Sequence, residues 1–177
     1  MSKAVLISIR PEWCEKIISG EKTIEVRKTR PKMNPPFKCY IYRSVQGGVI
    51  GEFVCDHIFE RIVRVGASCE APKYCICDWN MDCTPLDTLL ADACLTKDEL
   101  EKYLDGGVGY GWHISNLKIY DTPKELIEFH TWKKCKSCNK SGYESTACIY
   151  DENCIIPAAI TKAPQSWCYV EEEIWND

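Results

Sequence analysis

Residues 6–31 read LISIRPEWCEKIISGEKTIEVRKTRP and carry the strongest structural signals of the chain. The run AVLISI, residues 4–9, is apolar and rich in β-branched side chains, which predicts a central strand. Pro11 suits the first position of a helix, and Gly20 suits the position just after a helix end. Residues 23–28 then alternate between apolar and polar side chains. The stretch therefore predicts strand, helix and strand in succession.

The second predicted strand has two different faces. Ile24 and Val26 occupy one face, whereas Thr23, Glu25 and Arg27 occupy the other. Alternate residues of a strand lie about 6.5–7 Å apart, so the glutamate and the arginine can meet or hold one ligand between them. The alternative interpretation is an ion pair that only orients the strand.

The charge of the chain is unevenly distributed. The net charge is −4, which does not favour a non-specific nucleic-acid binder. Residues 1–43, however, contain ten Lys and Arg against four Asp and Glu, a local net charge of +6. Lys28, Arg30 and Lys32 are interpreted as solvated rim charges that attract a phosphate. Positive charge confined to one segment is typical of a site with a small footprint.

Length and composition predict one globular domain over residues 1–177. The apolar fraction is 45% and the charged fraction 27%, which argues against disorder. No apolar run approaches the roughly 18–20 residues that cross a bilayer, so no membrane association is expected. The amino terminus reads as a first strand and not as a signal peptide, which favours a cytoplasmic protein.

Alternation, capping and turn signals place the remaining elements. They are a hairpin around residues 46–48, a loop over 67–83, a helix opened by Thr96 and Glu99, a strand over 109–121, a short helix opened at 122–125 and a last strand over 165–174. Roughly five or six strands in mixed order with short helices predict an α+β fold built on a small barrel.

A cysteine-rich insertion spans residues 130–156. Its four cysteines form the pattern C-x2-C followed by C-x5-C and are Cys135, Cys138, Cys148 and Cys154. Four thiolates predict a closed structural zinc site, and the metal would supply folding energy that so few apolar residues cannot. His130 is an outside candidate for one ligand. Reduced thiols in a loop are the alternative.

The other cysteines fall into two groups. A second cluster contains Cys69, Cys75, Cys77 and Cys83 without a C-x2-C pair, so inert thiols are the default there and a metal the alternative. Scattered cysteines in apolar patterns are interpreted as small core residues: Cys14, Cys39, Cys55 and Cys168.

The residues Gly20-x-Lys22-x-x-Glu25-x-Arg27 match the motif GxKxxExR, at the position where the predicted helix ends and the predicted strand begins. Together with the whole of residues 6–31 and the terminal APQSWCYVEE, this arrangement resembles the ASCH family of the PUA-like superfamily, in particular small bacterial and prophage members. The resemblance covers most of the chain outside the cysteine insertion. It implies a PUA-like twisted β-barrel with peripheral helices and a cleft bordered by the motif.

The family resemblance also implies activities. Related PUA-like domains bind RNA or modified nucleobases, and some ASCH members are acetylcytidine hydrolases or ribonucleases. The amidohydrolases use a lysine, a threonine and a glutamate. Lys22 matches the lysine, but Glu25 stands at the threonine position and residues 92–96 contain no glutamate. This departure favours recognition over that hydrolysis.

Several segments contribute candidate cleft residues. The candidate ligand-binding set is Ser8, Arg10, Lys22, Glu25, Arg27, Trp112, His113, Gln165, Ser166 and Trp167. Aromatic faces and an amide suit stacking on a base and reading its edge. The alternatives are core positions for both tryptophans and a structural role for the histidine.

Three functions are compatible with these residues. The first is a module that binds RNA, a nucleotide or a modified nucleobase. The second is a hydrolase of a modified nucleoside or of RNA, with Lys22 as base or nucleophile and Glu25 in proton transfer. The third is a phage-derived adaptor that meets a protein partner through the zinc insertion.

Overall fold

A computed structural model describes residues 3–64, 74–77, 83–84, 86–134 and 155–172. Within these residues the helices are α1 Pro11–Ile18, α2 Leu86–Ala93 and α3 Lys97–Leu104, with a 3-10 turn at Leu126–Glu128. The strands are β1 Lys3–Ile9, β2 Ile24–Arg27, β3 Phe37–Arg43, β4 Val49–Cys55, β5 Ile58–Arg64, β6 Tyr74–Cys77, β7 Cys83–Thr84, β8 Gly109–His113, β9 Ser115–Lys124, β10 His130–Lys134, β11 Ile155–Ala159 and β12 Trp167–Glu171.

The strands form two five-stranded sheets and a two-stranded ribbon. The first sheet has the order β12-β1-β3-β4-β9, the second β2-β8-β5-β6-β7, and β10 pairs with β11. Strand β1 runs parallel to β3 and antiparallel to β12, so the prediction of a central first strand is confirmed. The mixture of helices and mostly antiparallel strands confirms the predicted α+β class.

Residues 4–7 of β1 form a continuous apolar run because both faces of the first sheet are covered there. Val5 and Ile7 pack in a core that includes Cys14 of α1. Ala4 and Leu6 pack on the other face, in a cluster that includes Phe129 and Val170. A strand buried on both faces shows a continuous apolar run and not an alternating one.

The predicted single barrel of five or six strands is wrong for the described residues, which form two five-stranded sheets and a two-stranded ribbon with no closed barrel. Two long strand runs each pass between the two five-stranded sheets. The run 49–64 breaks at Asp56 and His57, and the predicted strand 109–121 breaks at Ile114. The breaks lie side by side, because His113 N donates to His57 O at 3.0 Å. Each run therefore counts as two strands, which the continuous alternation of its sequence concealed.

The predicted start of the short helix, at residues 122–125, is also wrong. Strand β9 continues to Lys124, which pairs with Val49 of β4, and the short 3-10 turn starts only at Leu126. Pro123 can lie within β9 because β9 is an edge strand of the first sheet. At an edge, the N–H that proline lacks is not needed for a hydrogen bond to a second neighbouring strand.

Other predictions are confirmed. The hairpin β3–β4 turns around residues 44–48, and Thr96 and Glu99 form the capping box of α3. Part of the predicted loop 67–83 is strand instead, because β6 and β7 extend the second sheet. Cys14, Cys39 and Cys55 are buried as predicted, whereas Cys168 is partly buried. Burial raises the pKa of the Cys14 thiol to about 11.

The described residues contain no helix long and apolar enough to cross a membrane. The cysteine insertion begins and ends at the β10–β11 ribbon, whose last pair is Lys134 with Ile155. The four predicted zinc ligands, Cys135, Cys138, Cys148 and Cys154, lie outside the described residues.

We expect Gly51→Ala to destabilise the protein. An added Cβ would lie 2.5 Å from the Lys118 carbonyl oxygen and 3.1 Å from the Ile119 Cα, so the β4–β9 pair would have to separate. The expected loss is about 1–3 kcal/mol, measured by urea unfolding. The matched control is Lys118→Ala, which changes the exposed side chain on the facing strand and should stay within about 0.5 kcal/mol of the parent. Equal stability of Gly51→Ala and the parent would contradict this packing.

Candidate functional site

The motif begins where α1 ends and the chain reverses into β2. Gly20 adopts a φ of +79°, a left-handed conformation that favours glycine. Lys22 N then donates to Lys16 O at 2.9 Å, which satisfies a carbonyl of the last turn of α1. The glycine of the motif therefore makes the turn that brings Lys22 to the entrance of β2.

A buried ionic triad occupies the polar face of β2. Glu25 Oε2 lies 3.3 Å from Lys22 Nζ, and Glu25 Oε1 lies 2.9 Å from Arg27 Nη2. The three residues are only 3%, 7% and 9% exposed in chain order. Ile24 and Val26 pack on the opposite face with α2 and α3, which confirms the predicted division of the strand. Both faces of β2 are therefore buried, whereas an exposed charged edge strand would have a polar face in contact with solvent.

The ammonium of Lys22 is fully engaged. Besides Glu25, Nζ donates to the carbonyl of Ala93 at 2.7 Å and lies 5.1 Å from the ring centroid of Trp13. Ala93 is the last residue of α2, so the lysine caps a helix carboxyl end, where a cation is favourable. Three neighbours surround a group with three N–H donors.

Arg27 joins the edges of the two sheets. Its Nη2 donates to Ser8 O at 2.6 Å and contacts Glu25, while Nη1 donates to Ser166 Oγ at 3.3 Å. Strand β2 is an edge of the second sheet, and Ser166 precedes β12, an edge of the first. The guanidinium thus closes the gap between the sheets. Its Nε is buried and has no hydrogen-bond partner in the described part of the chain.

Strand β8 supplies an aromatic wall beside the triad. Glu25 pairs with Trp112 and Arg27 with Tyr110, so the four side chains share one face of the sheet. Trp112 is fully buried and meets Trp167 edge-on with ring centroids 5.9 Å apart. The indole Nε1 of Trp112 is a second buried donor that no described residue accepts from. The site therefore combines aromatic rings with two unused N–H groups.

Three predicted site residues do not join this group. Arg10 and Gln165 are exposed, before α1 and before Ser166 respectively. His113 follows Trp112 in β8, so it points to the opposite face. There its Nδ1 lies 2.6 Å from Asp56 Oδ1 at the corner between the sheets, and this hydrogen bond lowers the pKa of Asp56.

Four further residues near the site were not predicted. Trp13 lies in the predicted first helix and Tyr110 in the predicted strand 109–121, which the structure shows as α1 and β8. Their aromatic side chains in these elements were the sequence signal that could have indicated a place near the site. Tyr103 of α3 lies near the triad, and burial raises the pKa of its hydroxyl. Ala93 acts through its backbone carbonyl, and its side chain gives no signal for that role.

The side chains of the two predicted cysteine clusters lie outside the described part of the structure. Among the described residues, no group of three or more His, Cys, Asp or Glu could hold a metal ion. The backbone register pairs Cys77 directly with Cys83 across β6 and β7. Metal binding by either predicted cysteine cluster stays a prediction.

Known proteins resemble this chain in sequence or in fold. Residues 7–98, just over half of the chain, match the family model described as ASCH domain. A search of curated proteins finds no match. The crystal structure of ASCH from Zymomonas mobilis superimposes with a TM-score of 0.56 at 17% identity, covering 96% of this chain and 88% of that one. Two mutant forms of the Zymomonas protein match at 0.55 and 0.56 with 16% identity, over 96% of this chain and 91% and 89% of theirs. At such identity the likeness concerns the fold alone.

We expect Glu25→Ala to destabilise the protein by roughly 3–5 kcal/mol, because it leaves Lys22 and Arg27 buried without their counter-charge. Urea unfolding measures the loss. Glu21→Ala is the matched control, since Glu21 is an exposed glutamate of the same motif segment and should change stability by less than about 0.5 kcal/mol. A similar urea midpoint for both variants would contradict a structural role for the triad.

Proposed function

The chain belongs to the ASCH domain family, and on that basis we propose that it binds a nucleobase, presented by a nucleoside, a nucleotide or RNA, in the site around Glu25. The ASCH domain is PUA-like, which supports binding of RNA or its components. The observation that carries the proposal is the pair of buried, unused N–H groups next to the aromatic wall.

These two donors define what the ligand must offer. Neither Arg27 Nε nor Trp112 Nε1 has an acceptor among the described residues. A buried donor without a partner costs about 1–3 kcal/mol, so a ligand that supplies acceptors gains binding free energy. Ring nitrogens and carbonyl oxygens on the edge of a base are such acceptors.

The charge and the rings of the site support the same ligand class. Lys22, Glu25 and Arg27 together carry one net positive charge, which favours an electron-rich or anionic ligand. Trp167 is half-buried beside Trp112 and next to Tyr169, whose ring centroid lies 5.4 Å away. A partly exposed indole at the rim can stack on a planar base.

Hydrolysis of a modified nucleoside or of RNA is the second candidate. The 3.3 Å contact between Lys22 Nζ and Glu25 Oε2 is the observation in its favour, because it joins an amine to a carboxylate. The ammonium is surrounded by Ala93 O, Glu25 and Trp13, however, so it could act as a nucleophile only after losing a proton and breaking these contacts. The geometry therefore supports recognition more than chemistry.

Release of acetate from acetylated cytidine distinguishes the two candidates. Turnover that disappears in both Lys22→Ala and Glu25→Gln would favour the hydrolase. Binding without turnover would favour the recognition module.

A ligand screen tests the proposal. We expect at least one of the four ribonucleosides, acetylcytidine or short single-stranded RNAs to raise the melting temperature of the parent protein. Trp112→Phe removes one donor and should weaken that ligand about tenfold, measured by titration at a temperature where the variant is folded.

Phe37→Leu is the matched control for this experiment. Phe37 packs edge-on against Trp112 with centroids 6.0 Å apart, so its replacement loosens the same core but keeps the indole N–H. It should retain the affinity that Trp112→Phe loses. A screen without any stabiliser, or Trp112→Phe and Lys22→Ala proteins with unchanged affinity, would contradict the proposal.

We also propose that Cys135, Cys138, Cys148 and Cys154 bind one structural zinc ion. The insertion that contains them starts after Lys134 and ends before Ile155, and these two residues are paired in the β10–β11 ribbon. In the sequence, Cys135 therefore directly follows one residue of this last pair, and Cys154 directly precedes the other. A protein partner that docks on this insertion is the third candidate function.

Native mass spectrometry of freshly purified, reduced protein should show one bound zinc ion. Cys135→Ser combined with Cys138→Ser should lose it, because two of four thiolate ligands disappear. The control Cys168→Ser, in β12, should keep the metal. Metal-free parent protein would contradict the site.

A further inference from the structure

The basic segment, residues 28–32, continues β2 past the ionic triad. Lys28 and Lys32 are exposed and Arg30 is half-buried, so three cations lie within five residues of a chain with net charge −4. In the described part of the chain, no ion pair joins Lys28 or Lys32 to a carboxylate. The charges of Lys28 and Lys32, which no described carboxylate neutralises, attract anions.

Hydrogen bonds to β12 hold this segment in place. The indole Nε1 of Trp167 donates to Thr29 Oγ1 at 3.0 Å, and the backbone N of Lys32 donates to the Tyr169 hydroxyl at 2.7 Å. Pro31 between them is buried. The backbone that carries the lysines is therefore fixed before any ligand arrives, which lowers the entropic cost of binding.

The segment also adjoins the site physically. Lys28 directly follows Arg27 at the end of β2, and its side chain is exposed. Lys28 Nζ lies 5.3 Å from the ring centroid of Tyr103, a side chain that is 40% exposed. Trp167 contacts Trp112 on one side and the basic segment on the other. Lys28 therefore contacts Tyr103 near the triad, and the backbone of Lys32 is bonded to Tyr169, which packs against Trp167 of the site.

We propose that the basic segment binds a phosphate of the same ligand, with Lys28 and Lys32 as the contacting cations. The ligand class is then a nucleotide, either free or within an RNA strand, and not a free base or nucleoside. This inference rests on the proposed function, because the base has to occupy the site for its phosphate to reach the segment.

The test compares each nucleoside with its monophosphate and with a trinucleotide RNA of the same base, by titration at low and high salt. The variant is Lys28→Gln combined with Lys32→Gln. The charge-matched control is Lys97→Gln combined with Lys118→Gln, two exposed lysines of α3 and β9.

The parent protein should bind the monophosphate about tenfold more tightly than the nucleoside, as charge-assisted hydrogen bonds to a phosphate predict. Lys28→Gln with Lys32→Gln should abolish this preference without changing nucleoside affinity. High salt should reduce the preference of the parent protein for the monophosphate. The control should keep it. Tighter binding of the trinucleotide than of the monophosphate identifies an RNA strand as the source, whereas equal binding identifies a free nucleotide.

The opposite results separate the two proposals. Equal affinity of the parent for nucleoside and monophosphate, or a preference that survives in the Lys28→Gln, Lys32→Gln protein, would overturn the phosphate site alone. Phosphate binding that needs both lysines but is unchanged in Trp112→Phe would overturn the base site and retain the segment. Absence of all nucleoside and nucleotide binding would overturn both.

Discussion

The buried carboxylate of Glu25 is the constraint on which the rest of the site depends. Each of its oxygens faces a cation, and removing a charge of this kind from water is costly unless its partners are held in place. Lys22 is held by the carboxyl end of α2, and Arg27 by the Ser8 carbonyl and the Ser166 hydroxyl. The triad therefore joins α2, β2, β1 and the segment before β12, so the elements that surround the site are those that the triad connects.

The position of the site follows from the architecture of the two sheets. Strand β2 is an edge of one sheet and β12 an edge of the other, and the arginine spans the gap between them. The sheets separate because two adjacent strand runs turn at the same corner, beside the Asp56–His113 hydrogen bond. Arg27 fills the gap between the two sheet edges, and the aromatic wall and the two unused N–H donors lie buried beside it.

The geometry of the site supports recognition for the same reason that it is stable. A nucleophilic lysine needs an accessible lone pair, but the Lys22 ammonium is used to neutralise a carboxylate and to cap a helix. The groups that are not used in this way are two buried N–H donors and the aromatic rings, to which our proposal assigns the recognition of a ligand by its shape and its acceptors. Exposed cations then continue directly from the buried ones along the chain.

Local patterns in the sequence determined the first strand, α1, the glycine turn, the two faces of β2 and the capping box of α3, because each depends on residues a few positions apart. The motif also identified Lys22, Glu25 and Arg27 as one group. Only the tertiary structure decided that the runs 49–64 and 109–121 each divide between two sheets, that His113 faces away from Trp112, and that Trp13 and the Ala93 carbonyl complete the site. Those outcomes depend on which strands pair and where helices end in space, and neither distant pairing nor the direction of a backbone carbonyl has a signature in residue type.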